Sequence, residues 1–230
     1  MASGSATNCS SPSVTLLDLL FPPRCAGCGR QGFAWCPACA AAIEPVVVTP
    51  LEGVHLIAGG RFGGPLQRAI HTYKYRGRRG LAAQLTPALA SAVRAAEVRV
   101  EALCFVPLHR QRHRERGFNQ AQEIAKVLGK ALGLAVVPGL VRTRVTPAQV
   151  GLTQSERRQN LTGAFAWQAP SPAPQRLGVV DDVCTTGATL AAAAEAIRLA
   201  GGSVTAFLVL ARAQTLPGPV VTLPEQPACS

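Results

Sequence analysis

Three segments repeat apolar residues at helical spacing: "LAAQLTPALASAVRAAE" (Leu81 to Glu97), "NQAQEIAKVLGKALG" (Asn119 to Gly133) and "ATLAAAAEAIRLA" (Ala188 to Ala200). The last is stopped by Gly201 and Gly202. Between and after them lie apolar runs short enough to be strands: "ALCFVPL" (Ala102 to Leu108), "LAVVPGLVRT" (Leu134 to Thr143), "RLGVVDD" (Arg176 to Asp182) and "SVTAFLVLAR" (Ser203 to Arg212). Strands that alternate with helices predict an α/β unit around a mostly parallel sheet, beginning at about Leu51. The pattern shows no internal repeat. "APSPAP" (Ala169 to Pro174) reads as a connection within this unit, because strand-like segments flank it.

Outside that unit the pattern weakens. Residues 1–12, rich in Ser, Ala and Asn, predict a disordered tail, and residues 213–230, rich in proline, a second one. Residues 13–50 carry a short helical stretch, Ser13 to Leu20, followed by a cysteine cluster, and residues 51–212 form the larger domain.

Composition changes this picture in two ways. Lys and Arg number 23 against 12 Asp plus Glu, a formal net charge of +11, which favours an anionic partner such as a phosphorylated small molecule or a nucleic acid. There are eight cysteines, yet the N-terminus has no cationic segment ahead of a long apolar core, and no apolar run reaches the length of about 20 residues that a bilayer requires. A reducing cytoplasm is therefore the expected setting, without a membrane span, and clustered cysteines there point to metal rather than to disulfides.

Cys25, Cys28, Cys36 and Cys39 follow a C-x2-C-x7-C-x2-C pattern that sets two thiolate pairs on two turns, suited to one tetrahedral Zn2+. Four sulfur ligands leave no position for water, so the expected role is structural. "GCGRQG" (Gly27 to Gly32) satisfies G-x-G-x-x-G but lacks the strand before and the helix after that dinucleotide binding requires; its glycines suit the tight turns of the knuckle. Cys104 reads as a core residue and Cys184 as a tolerated loop residue, while Cys9 and Cys229 fall in the tails. None of His55, His71, His109 and His113 has a triad-like partner, and no catalytic histidine is assigned.

The chemistry concentrates after the third strand. Neighbouring residues of a strand point to opposite faces, so Asp181 and Asp182 serve one site only if the strand ends there. Thr185, Thr186, Gly187, Ala188 and Thr189 follow and open a helix, and in open α/β sheets such a junction faces the ligand crevice. Hydroxyls, backbone amides and a permissive glycine suit a phosphate; carboxylates suit ribose hydroxyls or a Mg2+ that accompanies a polyphosphate. Helix capping by an aspartate, or by Thr186, is the plain alternative. Two basic groups complete the set. Arg110, Arg112, Arg114 and Arg116 precede "RGFNQ", while Lys74, Arg76, Arg78 and Arg79 interleave with Tyr73 and Tyr75, a spacing that fits either single-stranded nucleic acid or a ligand-facing loop.

"VVDDVCTTGAT" resembles the motif that binds 5-phosphoribosyl 1-diphosphate (PRPP) in type I phosphoribosyltransferases. "YKYRGRRGLA", "VPLHRQRHRERGFNQA", "RTRVTPAQVGLTQSERRQNLTGAF" and the cysteine knuckle narrow the resemblance to the ComF family, named for competence protein F and linked to DNA uptake. The resemblance covers nearly all of Leu16 to Arg212. It implies a type I phosphoribosyltransferase fold with a small N-terminal zinc-ribbon-like module, and transfer of a phosphoribosyl group from PRPP, with Mg2+, to an unidentified acceptor. Asp181 and Asp182 would act as the catalytic pair on the ribose, Thr185 to Thr189 on the 5-phosphate, and Arg116, Asn119 and Gln120 on the pyrophosphate. Arg142, Arg144, Gln149, Arg157, Arg158 and Asn160 would belong to a hood over the site. The rival expectations are a competence protein that contacts single-stranded DNA or other competence proteins, and one that binds PRPP without turnover.

Overall fold

A computed structural model describes residues 22–44, 49–51, 53–144, 161, 163–169 and 172–213. The expected tails, the Ser13–Leu20 helix, Cys9 and Cys229, and the hood residues Gln149, Arg157, Arg158 and Asn160 lie outside them.

The main sheet has the strand order β1-β2-β8-β7-β3-β4, with β1 (Thr49–Leu51), β2 (Val54–Arg61), β3 (Ala102–Phe105), β4 (Ala135–Val136), β7 (Leu177–Cys184) and β8 (Val204–Arg212). Only the β1/β2 pair is antiparallel; the other four pairings are parallel. Helices cover both faces, and alternate residues of the central strands serve them in turn. Ala206, Leu208 and Leu210 of β8 join one apolar cluster, with α2 (Gly64–Tyr75), α3 (Leu81–Ala95) and α5 (Gln120–Leu132), whereas Phe207 and Val209 join another, with α6 (Ala188–Leu199). Burial on both faces explains the near-continuous apolar runs. α1 (Pro37–Ala41) belongs to the cysteine knuckle, and α4 (Arg110–Arg116) is a short helix without a buried residue.

Three sequence expectations need correction. "LAVVPGLVRT" is not one strand. It divides at Pro138 and Gly139 into β4, on the main sheet, and β5 (Leu140–Arg142), which pairs antiparallel with β6 (Phe165–Trp167) in a separate two-stranded sheet. A Cβ on Gly139 would run into the Trp167 ring, so a side chain there would force that ring to move. Secondly, β7 does not stop at the acidic pair but runs on to Cys184, because β8 continues to pair with it as far as Arg212. Thirdly, the ligand-facing loop that is one of two expectations for Tyr73 and Lys74 is not seen: "GPLQRAIHTYKY" is a full helix, α2, whose apolar residues Leu66, Ala69, Ile70 and Tyr73 are buried.

Candidate functional site

β7 lies between β8 and β3, and its two neighbours end at different heights. β8 follows it to Cys184, whereas β3 pairs only up to Val180, with Val106 N donating to Val180 O at 2.9 Å as the last rung. Beyond Val180 one edge of β7 is open. There the Asp182 amide donates to Asp181 Oδ1 at 2.8 Å in place of a strand partner. The opening is a crevice at the carboxyl ends of parallel strands, the usual ligand position in open α/β sheets.

A cavity of about 290 Å³ fills the crevice. Asp181, Asp182, Thr185 and Thr189 line it from β7 and the loop after it; Arg112, Arg116, Asn119 and Gln120 from the α4/α5 junction; Lys74 from α2; and Arg142 from β5. Both aspartates reach the cavity although the strand continues, because the missing β3 neighbour exposes the edge. Among the described residues they are the only acidic groups lining it. Burial, and then the charge of Asp182, push the Asp181 carboxyl up to about 7, against the opposing influence of the Asp182 amide, Lys74 and Arg142. Lys74 Nζ stands 2.8 Å from Asp182 Oδ1, both groups being largely buried. The sequence reading placed Lys74 in a basic cluster and missed this pairing; helical periodicity in "PLQRAIHTYKY" was the available signal.

The loop is set by Gly187, in the left-handed region at φ +79°, whose missing side chain makes room for Leu51: a Cβ there would meet Leu51 Cδ2 at 2.4 Å. α6 starts here without a strong side-chain cap, the Thr186 Oγ1 to Ala188 N separation being 3.5 Å, and neither aspartate caps it. First-turn amides of a helix have no intrahelical partner and suit an anion. Thr185 and Thr189 face the cavity; Thr186, Gly187 and Ala188 do not line it.

On the opposite wall the predicted trio divides. Asn119 caps α5, its Oδ1 accepting from Ala121 N at 3.0 Å and Gln122 N at 3.4 Å while Nδ2 donates to Val106 O at 3.0 Å. Gln120 is 1% exposed; its Oε1 accepts from Arg116 Nη1 at 3.2 Å and its Nε2 has no partner. A buried donor without a partner is costly and marks a position that a ligand oxygen would satisfy. Tyr73, which the sequence offers either for base stacking or for a ligand-facing loop, is fully buried, its hydroxyl donating to Gln120 O at 3.0 Å. Its neighbour Tyr75 is exposed.

The four knuckle sulfurs, of Cys25, Cys28, Cys36 and Cys39, all lie within 4.8 Å of one another. A tetrahedral Zn2+ with bonds of about 2.3 Å sets its ligands about 3.8 Å apart, so the cluster fits a structural zinc. Burial raises the Cys25 thiol, but the amides of Cys28, Cys36 and Gly27 outweigh this and hold it at about 6, which favours the thiolate a metal needs. Gly27, Trp35 and Cys39 pack too closely for a side chain at position 27. Cys25, Trp35, Cys36 and Cys39 share one apolar cluster with Leu66 and Ile70 of α2, so the knuckle is built into the main core.

This sheet, with helices on both faces, defines an α/β protein with a zinc-ribbon knuckle packed on it. Residues 16–51 match the double zinc ribbon domain. The chain is 30% identical over 206 residues to competence protein F of Haemophilus influenzae, covering 82% of this chain and 90% of that protein, and it belongs to the competence protein F family. It is also 30% identical over 201 residues to the DNA utilization protein YhgH of Salmonella typhimurium, covering 82% and 88% of the two chains. Among solved structures, an adenine phosphoribosyltransferase covers 76% of this chain and 89% of its own at 18% identity and a TM-score of 0.41. That of Thermoanaerobacter pseudethanolicus covers 76% and 86% at 17% identity and a TM-score of 0.39. Among the described residues no helix is long and apolar enough to cross a membrane.

Proposed function

We propose that the chain binds PRPP with Mg2+ in the 290 Å³ cavity and transfers its phosphoribosyl group to an acceptor, in the service of DNA uptake or utilization. The observation that carries this reading is the joint presence of Asp181 and Asp182 in one cavity with Thr185, Thr189, Arg112 and Arg116.

The parts match the chemistry. Carboxylates suit the ribose hydroxyls, the hydroxyls and amides at the start of α6 suit the 5-phosphate, and planar guanidinium forks suit the pyrophosphate. In such a displacement positive charge develops on the ribose ring as pyrophosphate departs, so fixed carboxylates on the sugar side and fixed cations on the leaving-group side both favour the transition state. Two carboxylates are oxygen donors suited to Mg2+, which when bound supplies further charge neutralisation to a polyphosphate. The unpartnered Nε2 of Gln120 supports a contact to a ligand oxygen, and Asn119, occupied as a cap, would act by fixing the α5 start that carries it.

The test is pyrophosphate release from PRPP, followed with Mg2+ and a panel of nitrogen-containing acceptors. Release that depends on acceptor supports transfer; PRPP binding without release would make the protein a PRPP-responsive regulator instead.

A further inference from the structure

Lys74 belongs to two hollows at once. It lines the 290 Å³ cavity with Asp181, Asp182, Thr185 and Thr189, and it lines a second hollow, of about 530 Å³, with Tyr75, Gly77 and Glu115; Arg112 and Arg116 line both. Its Nζ is held at the acidic pair, 2.8 Å from Asp182 Oδ1, with 20% of the side chain exposed. The backbone around it is fixed. Tyr73, the preceding residue, is fully buried and its hydroxyl donates to Gln120 O at 3.0 Å, while the Arg76 amide closes the last turn of α2 on Thr72 O at 2.9 Å. What can move is therefore the four-carbon stem of Lys74 rather than its helix. Asp181 is engaged differently, its Oδ1 accepting from the Asp182 amide at 2.8 Å. The Asp182 oxygen that a divalent ion would seek already holds a cation.

We propose that Lys74 is a positioning residue that occupies the cation place on the acidic pair and bars free divalent ions from it, yielding only when a polyphosphate arrives. Divalent ions such as Mg2+ seek carboxylate oxygens and are repelled by an ammonium in contact with them, so ion and lysine compete for Asp182. The other place open to the ammonium, the second hollow, is lined by Arg112 and Arg116, and its acid, Glu115, already accepts from Gln111 Nε2 at 3.0 Å. Like charges there hold Lys74 on Asp182. A polyphosphate among Arg112 and Arg116 reverses that balance. It draws the ammonium toward its own oxygens and frees Asp182 for the ion that it carries. The chain thereby takes up its divalent ion as a chelate of the substrate and not as a resident metal. What draws Lys74 away rests on the PRPP reading; the exclusion of the free ion does not.

The experiment is a Mn2+ titration of the zinc-loaded full chain without PRPP, followed by the electron paramagnetic resonance of the free ion. Mn2+ favours oxygen ligands, and the cysteine sulfurs compete poorly for it. Lys74→Ala is expected to bind one Mn2+ at least about tenfold more tightly than the wild type, because the competing ammonium is gone. Lys74→Gln, neutral but nearly as long, should show the same gain, and Lys74→Arg, which keeps the charge, should stay near the wild type. Asp182→Asn introduced into Lys74→Ala should abolish the gain. A lysine that served only the fold would leave Mn2+ affinity unchanged or weaker when replaced, so a gain separates the two roles. Equal affinity in the wild type and in both neutral variants would overturn the proposal, as would a gain that survives Asp182→Asn or appears equally in Lys74→Arg. A gain in the neutral variants together with no binding of PRPP by the wild type would uphold the exclusion and refute only the ligand that relieves it.

Discussion

Lys74 Nζ, at the end of α2, lies 2.8 Å from Asp182 Oδ1, near the carboxyl end of β7. One cation from a distant part of the chain thus stands against a pair of carboxylates that repel each other. Removing it by Lys74→Met leaves the pair without that cation, and a destabilisation of about 1–3 kcal/mol is expected, between the values for exposed and buried ion pairs. Urea denaturation should show a larger loss at pH 8 than at pH 5, since protonation of Asp181, which titrates at about 7, relieves the repulsion at the lower pH. Adding Asp182→Asn should recover part of the loss, and a double-mutant cycle measures that coupling.

The raised carboxyl of Asp181 has a defined sign in stability. Its folded value, about 7, exceeds the ordinary 3.8, so the native chain holds a proton that the unfolded chain releases between those values. The corresponding stability is complete below about pH 4 and is lost as the pH rises through about 7. Asp181→Asn should therefore stabilise the protein at pH 8, by on the order of 1–2 kcal/mol after discounting for partial solvent contact, and make little difference at pH 4. Thermal unfolding across that range checks it.

Asn119 and Gln120, adjacent in sequence, should separate in their effects. Asn119→Ala removes the cap of α5 and is expected to cost about 1–2 kcal/mol of stability. Gln120→Leu removes a donor that has no partner together with the acceptor of Arg116 Nη1, so a stability loss of no more than about 1 kcal/mol is expected while PRPP affinity falls. Denaturation and ligand titration on the two variants distinguish a scaffold residue from a ligand-facing one.

Gly187→Ala should be harmful twice over. It places a side chain at φ +79° and drives its Cβ into Leu51. A loss of about 1–3 kcal/mol is expected, with a displaced start of α6 and weaker binding of a phosphorylated ligand. Gly201→Ala, also at positive φ but with open space around it, serves as the control that carries the backbone strain alone.

Metal removal should unfold more than the knuckle. Cys25, Cys36 and Cys39 are buried in the cluster that also holds Leu66 and Ile70 of α2. Native mass spectrometry should find one zinc per chain, and chelation should lower the melting temperature of the whole protein rather than release a small separate transition. Cys36→Ser should do the same without a chelator.

Much of this was legible in the residues. Helical spacing located α3, α5 and α6, and the apolar runs located β3, β7 and β8, because strands buried on both faces carry an uninterrupted signal. The cysteine spacing also marks sulfurs that the fold clusters, and the acidic pair shares one cavity with Thr185 and Thr189, though not with Thr186, Gly187 or Ala188. Less visible was α2, whose basic residues disguise a helix with one apolar stripe, and with it the Lys74–Asp182 contact. Nor does local sequence show that β3 ends before β7 does. That difference depends on pairing between distant segments, and it lets two successive strand residues share one cavity.

Isothermal calorimetry with PRPP and Mg2+ tests the account most directly. The wild type is expected to bind with one site per chain, and Asp181→Asn/Asp182→Asn, folded by circular dichroism, to bind at least about tenfold more weakly, a loss of about 1.4 kcal/mol or more. Absence of binding by the wild type, or equal binding by the double variant, would contradict the assignment of the acidic pair to PRPP.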